Sequence, residues 1–268
     1  MRILFVSIVS CLLVASSPAL SARCGNGPGG FDAWKQAFIA NSSGYGLKQR
    51  VVRNALQNVS YDRKVVRLDR NQKSFKLSFE QFYGKRVNNA MIRRARKLGK
   101  TYARIFRGIE RKYGVPAPIL LAIWGLETNF GSFSGNMSVL RSLATLAYDC
   151  RRSKFFTNEL VNALKIVQRR DMTPAEMKGA WAGEIGQTQF LASSYMKYAV
   201  DYDRNGRRDL IRSIPDVLAS TANYLQKNGW RRGQGWGPGT ANYNVLKKWN
   251  KASVYVQTIS VMASRIAQ

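Results

Sequence analysis

The chain has 268 residues, 45% of them hydrophobic, which is enough to bury a substantial core in one or two domains. It contains no histidine, and this excludes Ser-His-Asp and Cys-His catalysis as well as the usual zinc sites. The formal net charge of +28 predicts an electrostatic field that attracts polyanions.

Residues 1–22 have the pattern of a secretory signal peptide. Arg2 gives a short positive start, an apolar run follows over 3–15, and small residues lead to Ala22. Cleavage after Ala22 is expected, with Ala19 as the alternative. We therefore expect a periplasmic or secreted protein without a stable membrane span, since no later stretch is long and apolar enough. In that compartment the partners favoured by the charge are anionic cell-wall polymers and membrane surfaces, and we expect no nucleic acid.

Two cysteines remain after signal removal, because Cys11 leaves with the signal and Cys24 and Cys150 do not. An even count in an oxidising compartment favours a disulfide between them. The alternative is two free, buried thiols.

Helical periodicity covers most of the mature chain, without an internal repeat or a convincing hairpin, and predicts a mainly α protein. Residues 92–113 form the clearest pattern, which predicts one amphipathic helix with a basic, solvated face. The other predicted helices begin near residue 31 and cover about 51–56, 140–150, 155–169, 193–199, 213–227 and 255–266.

Two shorter segments carry local signals of their own. Val65, Val66 and Leu68 look extended, ahead of a predicted turn at 69–72. Residues 173–176 combine a threonine cap, a first-turn proline and a glutamate three residues after the cap, which predicts the start of a helix.

The stretch 114–131 also predicts a helix, with a proline near its start and a glycine just past its end. Ile123 and Trp124 belong to its buried face, and Glu127 shares that face because it lies four and three residues further on. Poor solvation raises the pKa of a carboxyl group, so Glu127 is a candidate proton donor near neutral pH. The alternative is a glutamate at the edge of a buried helix, paired with an arginine.

A second candidate feature is the glycine-punctuated polar segment 182–190, flanked by Trp181 and Phe190. Glycines in such a loop let the backbone approach a ligand closely. An ordinary turn is the alternative.

These two segments together resemble motifs of the membrane-bound lytic transglycosylase B family, lysozyme-like enzymes that cut bacterial peptidoglycan. The resemblance covers about residues 69–266, and its strength lies in the ordered set of motifs, since each is weak alone. In chain order the matching segments are Gly125 to Gly131, Leu143 to Tyr148 with Arg151-Arg152, Gly186 to Phe190, Ser193 to Tyr195, Asn223 to Leu225 with Gly229-Trp230, and Trp249-Asn250 with Tyr255.

The resemblance implies a mainly α fold of the α+β lysozyme-like class. On this basis we expect a helical transglycosylase core over 91–268 and a smaller N-terminal extension of helices and loops over 23–90 that packs on it. We also expect a monomer that acts on peptidoglycan glycan strands and requires no cofactor.

The activity implied is cleavage of the β-1,4 bond between N-acetylmuramic acid (MurNAc) and N-acetylglucosamine (GlcNAc). Glu127 would protonate the glycosidic oxygen and then take a proton from the muramoyl 6-hydroxyl, which closes a 1,6-anhydro ring without water. The muramoyl acetamido group would replace the second carboxylate that most glycosidases use.

Three alternatives remain at this point. Glu184 could be a second carboxylate, which would suit an inverting muramidase that hydrolyses the same bond. A lysozyme-like module could bind peptidoglycan without cutting it, although an intact Glu127 and Gln189 argue against this. Finally, a basic secreted protein could act on membranes or nucleic acid through its charge alone.

The resemblance also implies a set of residues that contact the sugar or line the groove. Two positions depart from relatives: Ala192 stands where many carry proline, and Ala180 stands where the best-known branch has an active-site serine, so no role is carried over to Ala180. The implied substrate-binding residues are Gln189, Arg151, Arg152, Tyr195, Asn250 and Thr128.

Residues 201–209 resemble the first nine positions of a calcium-binding loop, with oxygen ligands at alternating positions and glycine at the sixth. The twelfth position is Arg212 where such loops have glutamate, and Asp216 could close the site in its place. Pairing of these carboxylates with nearby arginines is the alternative to a metal. The candidate ligands of a structural calcium ion are Asp201, Asp203, Asn205, Arg207 through its carbonyl, and Asp209.

Overall fold

A computed structural model describes residues 23–71 and 77–268, so the predicted signal peptide lies outside the described residues. The fold is mainly helical, as predicted, with a single short antiparallel strand pair in the described ranges. A 3₁₀ helix at Ser42–Tyr45 follows the first α-helix. The elements are α1 Phe31–Ala40, α2 Gln49–Leu56, α3 Arg63–Arg70, α4 Phe79–Arg86, α5 Asn89–Thr101, α6 Ala103–Tyr113, α7 Ala117–Thr128, β1 Met137–Ser138, α8 Val139–Tyr148, α9 Ser153–Gln168, β2 Lys178–Gly179, α10 Ala192–Tyr198, α11 Ile214–Lys227, α12 Ala241–Trp249 and α13 Ser253–Ala267.

Helix α7 is the centre of the core and is buried on nearly all sides, where the sequence predicted one buried face. Helices α5, α6, α11 and α13 pack around it. Gly125 permits the closest of these approaches, because a Cβ there would lie 2.9 Å from the Phe130 ring and 3.0 Å from the Met262 methyl group. The helix ends at Thr128, and Asn129 turns the chain away in the left-handed region with φ 50°. A polar residue in its last turn therefore lies at the edge of a rigid apolar core.

The predicted single helix over 92–113 is wrong, because the chain leaves helical geometry at Tyr102, with φ −102° and ψ 21°. Its ring lies 6.3 Å from that of Trp124. The break gives the two halves different partners: α5 packs against α7 and α13, and α6 mainly against α11. Tertiary packing on two sides of α7 thus overrides a continuous amphipathic pattern.

The predicted extended segment around residues 65–68 is also wrong, because these residues form α3. The Asp62 carboxylate caps the helix by accepting hydrogen bonds from the Lys64 and Val65 amides. Val65 and Val66 are then buried together on one side of the helix. The cap and the burial outweigh the preference of adjacent β-branched residues for extended backbone.

Residues 173–176 form a turn, so the predicted helix start there is wrong as well. The capping interactions themselves are present: the Thr173 hydroxyl accepts from the Glu176 amide, and the Glu176 carboxylate accepts from the Thr173 amide. Helix does not continue because Lys178 and Gly179 pair as a strand with Ser138 and Met137.

The segment before residue 91 is fastened to the rest of the chain at several points. Cys24 and Cys150 form a disulfide, with their Cα atoms 5.0 Å apart. Arg70 and Asp149 form an ion pair of 2.7 Å. Helix α4 packs against α13, which brings a helix of the predicted extension up to the end of α7. No helix of the described ranges is long and apolar enough to cross a membrane.

Candidate active site

Glu127, in the last turn of α7, lines a cleft of about 540 Å³. The walls of the cleft come from four distant parts of the chain: the end of α4, the segment 184–194, α11, and the stretch between α12 and α13. Its other lining residues are Arg86, Leu126, Glu184, Gln189, Phe190, Leu191, Ser194, Tyr224, Lys248, Trp249, Asn250, Lys251 and Tyr255.

The Oε1 atom of Glu127 accepts two hydrogen bonds from neutral donors. The Tyr255 hydroxyl donates over 2.8 Å and the Trp249 indole Nε1 over 3.1 Å. The indole predicted beside the carboxylate, that of Trp124, instead donates to the Gln187 side-chain oxygen over 2.8 Å. The groups that orient the carboxylate therefore come from α12 and α13.

Burial is the main cause that raises the pKa of Glu127 above its ordinary value of 4.5. The two hydrogen bonds and Arg86 favour the ionised form and oppose this shift, while the Glu184 charge adds to it. Burial and the Glu127 charge also raise the pKa of Tyr255 well above 10, so Tyr255 stays a protonated donor. The pKa of Glu127 is thus shifted in the direction that a general acid needs, and its role as proton donor stays a prediction.

The segment 182–190 folds back on itself, since Ile185 and Phe190 exchange backbone hydrogen bonds of 2.7 and 3.0 Å. Gly186 is required in this turn: its φ is 76°, and a Cβ would lie 2.2 Å from the Leu210 carbonyl oxygen. Gln189 lines the cleft, and its Nε2 donates to the carbonyls of Ser134 and Gly186 over 3.1 and 2.8 Å. The turn thereby fixes the amide of Gln189 within the same cleft as Glu127.

Glu184 is a second carboxyl group of the cleft. Burial raises its pKa and outweighs the backbone amides of Glu184 and Ala182, which act in the opposite direction. The Oε2 atom is buried and has no hydrogen-bond partner within 23–71 and 77–268. Most buried polar atoms in proteins have a hydrogen-bond partner, so the Oε2 atom of Glu184 needs an explanation, and a role in the reaction is one.

Asn250 lines the cleft and Thr128 lines a smaller cavity beside it, while contact of either residue with substrate stays a prediction. The Asn250 side-chain oxygen accepts from the Ala252 amide over 2.9 Å. The Thr128 hydroxyl donates to the Gln187 carbonyl over 2.6 Å and accepts from the Gly131 amide over 2.9 Å. Thr128 therefore holds the segment 182–190 against the end of α7.

The structure does not bring Tyr195, Arg151 or Arg152 to the lining of this cleft. Tyr195 is fully buried, and its hydroxyl donates to the Arg208 carbonyl. Both arginines pair with the buried carboxylate of Asp69 on α3. Their contacts join α3 to the start of α9.

The predicted calcium ligands gather only in part. Carboxylate oxygens of Asp201, Asp203 and Asp216 lie within 4.8 Å of one another. Asp209 instead accepts from the Arg212 guanidinium over 2.9 Å. The Asn205 side-chain oxygen accepts from the Arg207 amide over 2.9 Å.

Asp216 forms the base of this loop. It is fully buried, and its carboxylate accepts from the amides of Tyr202, Asp203 and Asp209. Burial raises its pKa despite these bonds. The oxygens of the loop are thus held in place by the backbone, and they are the hard donors that calcium prefers.

Sequence reasoning missed Lys85 and Arg86, which reach the neighbourhood of Glu127 from the end of α4. A local signal for the helix existed, since Ser78 and Gln81 form a reciprocal capping box. It could have located α4 but not the packing of α4 against α13. Phe133, exposed beside the same end of α7, carried no signal in the sequence.

Comparison with known proteins supports the architecture independently. Residues 30–241 match the family model described as the transglycosylase SLT domain. Membrane-bound lytic murein transglycosylase B of Escherichia coli strain K12 is 38% identical over 122 residues, which are 45% of this chain and 34% of the relative. The match thus spans about one third of the length of that curated relative.

Solved structures extend the match to most of the chain and confirm the lysozyme-like helical fold. SltB3 from Pseudomonas aeruginosa, in complex with NAG-anhNAM-pentapeptide, is 31% identical with a TM-score of 0.83, over 88% of this chain and 79% of that one. The E. coli lytic transglycosylase Slt35 in complex with calcium is 23% identical with a TM-score of 0.77, over 87% and 92% of the two chains, and supports the fold alone. The family model covers well over half of the sequence, and the chain therefore belongs to the transglycosylase SLT domain family.

Proposed function

We propose that this protein is a lytic transglycosylase that cleaves the MurNAc–GlcNAc β-1,4 bond of peptidoglycan and leaves 1,6-anhydromuramic acid ends. The observation that carries the proposal is a partly buried Glu127 with a raised pKa, held by two neutral donors in an open cleft. Family membership supports it. So does the P. aeruginosa relative, which was crystallised with NAG-anhNAM-pentapeptide and with NAG-NAM-pentapeptide.

In the first step, protonated Glu127 gives its proton to the oxygen that links the two sugars, and the bond from the muramoyl C1 to that oxygen breaks. The carbonyl oxygen of the muramoyl acetamido group attacks C1, so the positive charge is held within the substrate. The GlcNAc residue leaves with the proton on its 4-oxygen. Tyr255 and Trp249 stabilise the carboxylate that remains, because each donates a hydrogen bond to its Oε1 atom.

In the second step, ionised Glu127 takes the proton of the muramoyl 6-hydroxyl. The 6-oxygen attacks C1, the bond from C1 to the acetamido oxygen breaks, and the 1,6-anhydro ring closes. Glu127 is protonated again, so no water is consumed. One carboxyl group thus suffices for both proton transfers.

The presence of Glu184 in the cleft favours a second candidate function, that of an inverting muramidase. An inverting enzyme needs a carboxylate to activate water on the opposite face of the sugar, and Glu184 lines the same cleft with a buried, unpartnered oxygen. Mass spectrometry of peptidoglycan digests separates the two reactions. Muropeptides lighter by one water support the transglycosylase, reducing-end muramic acid as the main product supports the hydrolase, and no product from the folded protein supports a binding module.

We also propose a structural calcium ion in the loop 201–216. Asp201 and Asp203 with the buried Asp216 would hold it through carboxylate oxygens, joined by the Arg207 carbonyl. The guanidinium of Arg207 points elsewhere, donating to the Asp171 carbonyl over 3.0 Å. The E. coli Slt35 structure, which has the same fold, was solved in complex with calcium.

Calcium that binds only the folded protein stabilises it by a free energy of about RT ln(1 + [Ca]/Kd), so the melting temperature must rise with calcium concentration. Asp203→Ala should abolish the rise. A melting curve that millimolar calcium and chelator leave unchanged would contradict the site and favour arginine-paired carboxylates.

For its cellular setting we propose a monomer in the periplasm or outside the cell, with glycan strands of peptidoglycan as its partner. The predicted signal peptide and the positive charge support this setting. Light scattering on the purified protein and the mass of its secreted form test the two parts separately.

A further inference from the structure

A second, smaller cavity of about 220 Å³ adjoins the cleft at the end of α7. Arg86, Leu126 and Glu127 line both spaces, so a chain lying in the cleft can continue past Glu127 into this cavity. The walls that belong to the second cavity alone include Lys85, Phe133 and the backbone around Asn129. None of these residues has a part in the two proton transfers.

Phe133 is the most conspicuous of them, because 80% of its surface is exposed. The next most exposed large apolar side chains in the described part of the chain are Phe155 at 45% and Tyr45 at 42%. Both of those rings contact a neighbouring ring, since Phe155 meets Phe156 edge to face and Tyr45 stacks on Phe38. Leaving a phenylalanine ring in water forgoes about 1.5–3 kcal/mol of burial energy.

The backbone that carries Phe133 is fixed on both sides. Its own amide donates to the Thr128 carbonyl over 3.0 Å. The Ser132 hydroxyl accepts from Arg94 over 2.9 Å, and the Ser134 carbonyl accepts from the Gln189 amide group over 3.1 Å. A ligand that covers the ring would therefore lose little free energy to ordering the loop.

We propose that Phe133 is a stacking platform for a sugar ring of the glycan strand on this side of the cleaved bond, and that Lys85 beside it attracts the acidic peptide stem. This inference rests on the proposed function, since it assumes that a glycan strand occupies the cleft. One face of a pyranose ring presents C–H groups, and an exposed aromatic ring buries such a face. The ammonium of Lys85 and the guanidinium of Arg86 give the same cavity positive charge, which complements the carboxylates of a peptide stem.

The position of the second cavity beside the cleft and its positive charge together indicate which ligand it would bind. The cavity and the cleft share the residue that would cleave the strand, so the next sugar along the strand lies close to the cavity. A purely apolar partner would leave the two cations unpaired, and a simple anion would leave the ring of Phe133 uncovered. A sugar that bears an acidic peptide satisfies both features.

The platform is tested by binding to protein that carries Glu127→Gln, so that no turnover is needed. Chitotetraose is the stem-free probe, and a GlcNAc–MurNAc-pentapeptide is the probe with a stem. Phe133→Ala should weaken both by about tenfold, on the scale of stacking on an aromatic ring, and Phe133→Trp should restore affinity. Tyr45→Ala, which removes an exposed ring elsewhere, is the matched control and should change neither Kd.

Lys85→Ala should weaken only the probe with the stem. In active enzyme, Phe133→Ala should raise KM and leave kcat nearly unchanged, as loss of uniform binding does. Unchanged Kd values for Phe133→Ala would overturn the platform, and equal effects of Lys85→Ala on both probes would overturn the stem assignment. If the products prove to be those of a hydrolase, the proposed reaction fails while these Kd values still report on the platform.

Discussion

Glu127 and Glu176 both accept hydrogen bonds from side chains, and their pKa values shift in opposite directions. Glu127 accepts from Tyr255 and Trp249, and burial raises its pKa. Glu176 accepts from the Thr173 amide and the Arg212 guanidinium, which lower its pKa to about 2. The difference lies first in the depth of burial and then in the charge of Arg212, since neutral hydrogen-bond donors are present at both sites.

In this chain of net charge +28, arginines pair with several of the carboxylates. Asp69, Asp149, Asp171 and Glu176 each form an ion pair with one or more arginines. Glu127 forms none within the residues that the structure describes, and Arg86 acts on it only as a weaker, opposing influence. The fold therefore surrounds the proposed proton donor with neutral hydrogen-bond donors and apolar surface.

Glu127→Gln is expected to have the largest effect on activity. Glutamine keeps the shape and can still accept from Tyr255 and Trp249, but it can neither give nor take the proton. Turnover, measured as soluble muropeptides released from purified peptidoglycan, should fall by at least about 10²–10⁴-fold. Glu176→Gln is the matched control and should keep its turnover. Near-normal release by the Glu127 variant would remove Glu127 from its role.

Tyr255→Phe should have the next largest effect, because it removes one of the two neutral donors and leaves the ring. A hydrogen bond to a charged group is worth about 1.5–3 kcal/mol, so kcat should fall about 10–100-fold as the carboxylate formed in the first step loses support. The pKa of Glu127 should rise, because this bond favours its ionised form. The limb of the kcat/KM profile set by ionisation of Glu127 should then move to higher pH. If this limb of the kcat/KM profile does not move, the hydrogen bond from Tyr255 does not affect the pKa of Glu127.

Glu184→Gln should move the same limb in the opposite direction by a smaller amount. The negative charge of ionised Glu184 raises the pKa of Glu127, so a neutral amide should lower it. A transglycosylase should keep most of its turnover in this variant and still release anhydro ends. Loss of turnover as severe as in Glu127→Gln, together with reducing ends in the wild-type digest, would favour the hydrolase.

The sequence was sufficient to find Glu127 but not the groups that hold it. Helical spacing and the family motif both pointed to Glu127 on a buried helix. Its donors, Trp249 and Tyr255, lie 122 and 128 positions further along the chain. The family motif contained both residues, but periodicity reports only near neighbours, and it therefore indicated Trp124. The contact itself depends on the packing of α13 against α7.

The same limit applies to the predicted groove arginines. Arg151 and Arg152 were assigned to the substrate by motif position, and they pair with Asp69, 82 and 83 positions earlier in the chain. Most of helix α3, which carries Asp69, was itself predicted as extended from its adjacent valines, whereas Asp62 caps it as a helix. The wrong prediction for α3 therefore concealed that Asp69 is the partner of Arg151 and Arg152.

The smallest expected effect concerns stability, and its sign differs between the two glutamates. Glu176 has a folded-state pKa of about 2, below its ordinary 4.5, so its ionised form stabilises the fold above about pH 4.5, and this contribution is lost as the pH falls towards 2. The pair is partly exposed, so Glu176→Gln should lower the melting temperature at pH 7 by no more than about 2–4 °C.

Glu127 has a raised folded-state pKa, so its ionised form costs stability as the pH rises through that value. Glu127→Gln removes this cost and should raise the melting temperature at neutral pH, with no gain below pH 4.5, where the carboxyl group is protonated in both states. Scanning calorimetry of both variants from pH 3 to pH 8 measures the two signs, and a fall in melting temperature for Glu127→Gln at neutral pH would mean that its hydrogen bonds outweigh its burial.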